Sequence, residues 1–487
     1  MQVVSFEFLI FLPIVVLLYY VLPKNVRYIW LLITSYYFYM IIDAKYALFL
    51  VFVTLVTYAA GRILEKTSKK KLVVTICLIL NLAVLGGFKY LGFITGTISK
   101  ILNMSGTENS FGAVTSIIVP VGISFYMFQA IGYIIDVYRG KISAERNILK
   151  YALFVSFFPN ILSGPIERVG HMLPQFSMPK AFSYDNMRRG LLTMLWGYFL
   201  KLVLADRMAI VVDTVYGNPS IYGGTIVVIA VILYTLQIYC DFAGYSAIAI
   251  GAARILGIEI MENFECPYLA GSVAEFWRRW HISLSSWFKD YLYIPLGGNR
   301  KGTIRKYINI MIVFLVSGLW HGAGWTFVIW GGLHGLYQVI GKMLSPARDA
   351  VVKALKINRN SYSHRLLKIV FTFGLVSFAW IFFRAGSMTA AVNIIKGMRG
   401  FTPWIFMDGS LYTLGISQYS FGLMMIGIVI LAIRDILSYK GIKVMDVLCR
   451  QGIWLRWSVY IIAVMVILVC GIWGAGYNGA SFIYYNF

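Results

Sequence analysis

Apolar residues in this chain fall in long runs separated by short polar breaks. The runs lie near 6–22, 28–42, 46–61, 72–94, 112–136, 148–163, 190–212, 223–257, 307–320, 324–343, 366–384, 419–436 and 455–475. Crossing a bilayer takes ~20 apolar residues. A helix is the single-segment structure that satisfies its own backbone there. The pattern predicts an all-α, polytopic integral membrane helical bundle, with the 223–257 run long enough to be bent or doubled. The polar stretch 344–365 reads as a solvent-exposed loop. No repeat and no soluble domain interrupts the pattern. Residues 1–487 therefore read as one membrane domain, with a motif-rich core at about 120–343 and further spans over 366–487.

Charge in the breaks gives an orientation. Lys24 and Arg27 follow the first run, Arg62, Lys66, Lys69, Lys70 and Lys71 the third, and Arg139, Lys141, Arg146 and Lys150 the fifth. The intervening breaks are poorer, with Asp43 and Lys45, then Lys100 and Glu108. Basic loops stay cytoplasmic, which places the N-terminus outside the cell membrane. The net charge of +23 is spread through these loops, so it argues for a membrane partner and against nucleic acid. With 59% hydrophobic and 13% charged residues the chain lies far from soluble composition. Its five cysteines form no CxxC and no cluster with histidine, so neither a disulfide framework nor a metal site is expected. Met1 to Glu7 lacks the basic start of a signal peptide, and the first span is expected to remain in the protein.

Two segments carry candidate chemistry. From Glu275 to Arg300, helical spacing puts Trp277, His281, Leu284, Phe288 and Leu292 on one face. Glu275, Arg278, Arg279, Ser285, Ser286, Lys289 and Asp290 gather on the other, and Pro295 ends the helix. Such a helix lies at the membrane interface or lines a polar cavity. In Ser317 to Trp325, His321 stands among glycines and tryptophans between two apolar runs. An ionisable side chain at membrane depth is by default a functional candidate, and imidazole suits proton transfer. The plainer alternative for either histidine is a hydrogen-bonded packing residue. His334 reads as packing, since on a continuous helix it would lie ~20 Å from His321. His171 and His364 read as surface residues. Asp241 is expected to hydrogen-bond to another span.

The segments Ser124 to Arg139 (SFYMFQAIGYIIDVYR), Phe158 to Arg168 (FPNILSGPIER), Asp241 to Ser246 (DFAGYS), Phe276 to Ser285 (FWRRWHISLS), Tyr293 to Arg300 (YIPLGGNR) and Gly318 to Gly324 (GLWHGAG) resemble the membrane-bound O-acyltransferase (MBOAT) family. Within it they are most similar to the bacterial alginate O-acetyltransferase (AlgI) branch. The resemblance implies a helical bundle around a central funnel or tunnel, with an essential buried histidine at His321 and a second site histidine at His281. It implies acetyl transfer from a cytoplasmic thioester, acetyl-CoA as substrate with no tightly bound cofactor, to an extracytoplasmic polysaccharide hydroxyl. That transfer is either direct or passes through an SGNH-hydrolase-like partner protein. The absence of a GxSxG elbow in the sequence favours the relay.

Acyl transfer needs a base, donors for the developing oxyanion and exclusion of water. His321 is assigned as the base, with His281 orienting the acyl group or donating to its oxygen. Trp277, Trp280, Trp320 and Trp325 are expected in the cavity walls. Arg278, Arg279, Lys289, Asn299 and Arg300 are expected where a donor's phosphates would be met, though loop charge alone explains the four basic residues equally well. Three rivals remain open: a DltB-type D-alanyl transfer to teichoic acid, a transporter or flippase relaying protons through buried His and Asp, and a non-catalytic scaffold. Inverted repeats, the usual mark of transporters, are not evident in the sequence.

Overall fold

The computed structural model describes residues 1–104 and 120–473. Glu108, the start of the 112–136 run and the end of the 455–475 run lie outside the described residues. Apart from one bridge pair, Phe264 with Trp280, the described residues are helical or irregular. Seven of the described helices are long and apolar enough to cross a membrane: Tyr46–Lys66, Lys70–Ser99, Thr225–Ile255, Thr303–His321, Tyr362–Arg384, Gln418–Tyr439 and Ile453–Cys470. The shorter apolar helices Phe6–Val21 and Ile123–Tyr138 sit where spans are expected. Many of their outward positions are large and apolar, among them Ile10, Leu17, Leu48, Leu367 and Val469. Lipid tails cover such positions at no cost.

The described chain forms two compact units, Met1–Leu191 with Ile248–Met261, and Leu192–Ala247 with residues 262–473. The first unit packs around aromatic rings. Phe11 meets Phe158 edge-on at 5.3 Å, and the Tyr151 hydroxyl shares a 2.7 Å hydrogen bond with Thr57. Here the run expected at 148–163 is helical only over Ile148–Ser156. Pro159 disfavours the helical region for Phe158, and the chain continues through turns to Arg168 with Ser163 still buried. Glu167, 1% exposed, accepts from the Met261 amide and meets His171 Nδ1 at 2.9 Å. That hydrogen bond raises the His171 imidazole above its ordinary value. His171 is thus an exposed residue tied to a buried carboxylate.

The 223–257 run is not doubled: Thr225–Ile255 is one helix of 31 residues. At 1.5 Å per residue it spans about 46 Å, longer than a hydrocarbon core of about 30 Å. The stretch expected as a loop at 344–365 contains the helix Ser345–Ala354, whose single buried residue is Val352. In the second unit the 190–212 run is helical throughout, but Phe199–Ala205 is wound as a π-helix between Tyr184–Tyr198 and Asp206–Gly217. Such local unwinding is rare and is frequent at functional sites.

Candidate functional site

The site is built within the second unit from a helical hairpin and a broken helix. Helix Thr303–His321 ends on His321; Gly322 and Gly324 are extended, the chain turns between them with Gly324 N–H donating to Gly322 O at 3.0 Å, and helix Trp325–Met343 follows. The two helices pack closely because glycine faces backbone. A Cβ placed on Gly318 would collide with the Phe327 carbonyl, and one on Gly331 with the Phe314 carbonyl. Small residues let helix backbones approach in this way inside a membrane. Replacing Gly331 with leucine is therefore expected to force the hairpin apart. The full-length variant should be lost from the folded, monodisperse fraction in detergent chromatography, whereas alanine at the open position Gly341 should leave it unchanged.

His321 is 3% exposed. Its ring lies 4.7 Å from Trp320, 4.9 Å from Trp330 and 5.3 Å from Phe383, edge to face with each. Trp330 in turn stacks on Trp380 at 5.5 Å. The hairpin also corrects the separation expected for His334. The two histidines lie on different helices, and His334 touches the same Trp330 ring at 5.1 Å. His334 is wholly buried, and its Nδ1 accepts from the Trp277 indole N–H at 3.1 Å. The packing assignment for His334 therefore stands with a defined partner.

The helix expected from Glu275 to Pro295 is broken. Val273–Arg279 stops at Trp280, which is extended, and Ile282–Phe288 restarts after His281. His281 takes φ +44°, ψ +54°, a left-handed conformation that costs a non-glycine residue roughly 1 kcal/mol or more. The break is held by a short antiparallel pairing. Glu265 N–H donates to Arg279 O at 2.9 Å, and Ile282 N–H donates to Asn263 O at 3.0 Å, on either side of the Phe264–Trp280 bridge. Fully buried, His281 lies edge-on to Phe242 at 4.6 Å and 6.2 Å from Trp320. The Trp320 indole thus has both histidines as neighbours.

Among the other residues singled out by sequence, Trp277, Trp280 and Trp320 are buried, as a wall requires. Trp325 is 53% exposed, whereas Trp330 and Trp380 are buried, Trp330 lying against the His321 ring. Arg278, Lys289, Asn299 and Arg300 are exposed. Arg279 pairs with Glu275 at 3.1 Å and sits over the Tyr439 ring. Asn299 accepts from the Tyr293 hydroxyl at 2.7 Å.

Two features escaped the sequence reading. Asn263, just before the broken helix, is 1% exposed and binds both His281 and Ser283. Asp241 is tied to a cation: the Lys201 ammonium, wholly buried, lies 2.7 Å from it and 2.8 Å from Asp206. A lysine inside the 190–212 run was the available signal, since intramembrane charges are rare and seek partners. Among the described residues no group of three or more His, Cys, Asp or Glu could hold a metal ion.

The sequence model described as MBOAT, membrane-bound O-acyltransferase family, matches residues 142–385, which include both histidines, Asn263 and Lys201. A probable alginate O-acetylase AlgI of Pseudomonas putida is 38% identical over 403 residues, covering 81% of this chain and 79% of that protein. The peptidoglycan O-acetyltransferase of Helicobacter pylori is 35% identical over 434 residues, covering 80% and 78%. The teichoic acid D-alanyltransferase of Bacillus subtilis is 28% identical over 274 residues, covering 54% and 68%.

Proposed function

Because this chain belongs to the membrane-bound O-acyltransferase family, we propose that it transfers an acetyl group from cytoplasmic acetyl-CoA to a hydroxyl destined for an extracytoplasmic polysaccharide, with His321 as the base. The chain is a multi-pass membrane O-acyltransferase; donor, acceptor and residue roles are the proposal. The observation that carries it is His321 itself, an imidazole enclosed by Trp320, Trp330 and Phe383 with His281 beside the same indole.

The chemistry follows from that enclosure. The acceptor hydroxyl gives its proton to His321 as its oxygen attacks the thioester carbonyl carbon. The tetrahedral intermediate then collapses, the C–S bond breaks, and the departing sulfur takes the proton back from His321. No net proton is consumed. Water in the site would hydrolyse the thioester, and the surrounding rings exclude it. The acceptor hydroxyl is a serine of an SGNH-hydrolase-like partner outside the membrane, which passes the acetyl group on to the polymer. In this reading the N-terminus lies on the extracytoplasmic side, as the basic loops after the first, third and fifth spans favour.

Acetyl transfer is favoured over D-alanyl transfer because the alginate O-acetylase and peptidoglycan O-acetyltransferase relatives match at 38% and 35% over most of the chain, the D-alanyltransferase at 28% over 54%. Labelled acetyl-CoA and labelled D-alanine, supplied in turn to membranes containing the full chain, separate the two. Acetyl label entering the envelope polymer supports the reading, and D-alanine label in its place overturns it.

A further inference from the structure

Asn263 meets three groups with one oxygen. Its Oδ1 lies 3.3 Å from the Ser283 backbone N–H, 2.9 Å from the Ser283 hydroxyl and 3.0 Å from His281 Nδ1. Its Nδ2 donates to the Ser246 hydroxyl at 3.2 Å. Asparagine amides are oriented by their network, and here one member is unambiguous. A backbone N–H can only donate, so the atom facing it is the oxygen. An amide oxygen can only accept, so His281 Nδ1 must carry a proton. A neutral imidazole has one donor and one acceptor, which leaves the lone pair on Nε2.

We propose that Asn263 is a positioning residue for acyl transfer, holding His281 in the Nδ1-protonated tautomer so that Nε2 accepts a hydrogen bond from the thiol that leaves. The proposal rests on the acetyl-transfer reading above and moves His281 from donor toward the acyl oxygen to acceptor from the leaving group. The one proton of the acceptor hydroxyl goes to His321 and from it to the departing sulfur, so the two histidines do not compete for it. The backbone supports a positioning role. Asn263 O receives Ile282 N–H, so the residue that sets the tautomer also pins the chain one residue past His281. His281 is held left-handed between these contacts, a conformation kept by its surroundings. Fixing a ring tautomer through the hydrogen bond at its other nitrogen is how histidines are set for a single task.

The test uses the full-length protein in nanodiscs with 15N-labelled histidine. Ring-nitrogen spectra distinguish the tautomers, and His281→Gln identifies the signal among the five histidines. The wild type should show His281 protonated at Nδ1. Asn263→Leu should release that preference and lower kcat about 100-fold or more with little change in KM, since a wrong tautomer removes proton handling and leaves binding. In Asn263→Asp the acceptor oxygen persists. That variant should keep the tautomer, recover most of kcat and carry the acid limb of the pH–rate profile to higher pH, because a carboxylate favours the protonated ring. A residue that only staples the loop would also recover with aspartate, which keeps the oxygen facing Ser283, but it would leave the acid limb in place. Protonation of wild-type His281 at Nε2 overturns the proposal, as does an Asn263→Leu protein with wild-type kcat. If Asn263→Leu does not fold, the wild-type spectrum and the Asn263→Asp profile still decide. If the wild type moves no acetyl group, the functional reading fails while the tautomer spectrum stands on its own.

Discussion

His321→Ala is expected to lower acetyl transfer by about 10²–10⁴-fold, the usual contribution of a positioned general base. The loss should appear mainly in kcat, because the imidazole acts on a proton in transit and adds little to holding either substrate. Its location makes the variant interpretable. His321 is the last residue of its helix and its backbone hands directly to the extended Gly322. Truncation therefore removes a ring from a box of rings without touching the glycine contacts that close the hairpin. The vacated space does cost packing, roughly 2–4 kcal/mol for a large buried side chain. For that reason His321→Gln belongs beside it: glutamine fills much of the volume and cannot serve as a base near neutral pH. Both variants should remain in the membrane at near wild-type amounts and both should be inactive. If His321→Gln retained wild-type kcat for acetyl transfer, the base would have to be sought elsewhere, with His281 the next candidate. The experiment also removes the remaining rivals. A scaffold would be indifferent to both variants, and a proton-relaying transporter would lose transport without having formed any ester.

The legible part of this molecule was whatever depends on short stretches of sequence. Apolar runs marked the helices, and glycine on both sides of His321 marked the place where two of them turn against each other. The WRRWH segment marked the second histidine. What escaped was everything decided by partners far along the chain. The broken helix at Trp280 and His281 shows why. Helical spacing of apolar residues runs uninterrupted through the break, so periodicity cannot see it. The backbone leaves the helix there because Asn263 and Glu265 offer it a bridge pairing. Trp380 escaped for a related reason. It comes from a helix that begins at Tyr362, far along the chain, yet it stacks on the Trp330 ring beside His321, whereas Trp325, four residues from His321 in sequence, is 53% exposed. Asp241 could be recognised as a carboxylate in need of a partner, and the identity of that partner was a tertiary fact.

The Lys201 cluster carries the largest expected effect on stability. Its ammonium sits wholly buried between the Asp206 and Asp241 carboxylates at 2.8 and 2.7 Å, with the Tyr245 ring 5.7 Å away. The π-helical winding of Phe199–Ala205 brings Lys201 to this position. Gly244 lets the two backbones close on it: a Cβ there would lie 2.9 Å from Gly197 O and 3.2 Å from Lys201 N. Removing the cation leaves two acidic groups facing each other in a medium that cannot solvate them. Breaking a buried ion pair from one side costs about 3–5 kcal/mol, a large part of a total stability of about 5–15 kcal/mol. Lys201→Met should therefore deplete the folded protein in membranes and lower the melting temperature of what remains. Asp241→Asn leaves the Lys201–Asp206 pair in place and should be far milder. The decisive comparison is the combination Lys201→Met, Asp206→Asn, Asp241→Asn, which takes every charge away and replaces the lysine stem with an unbranched apolar one. It should melt above Lys201→Met alone, although it departs from the wild type at three positions instead of one. That inversion is the signature of charge compensation. If the triple variant is instead the least stable of the set, the cluster holds the fold by hydrogen bonding and shape, and the electrostatic account of it is wrong.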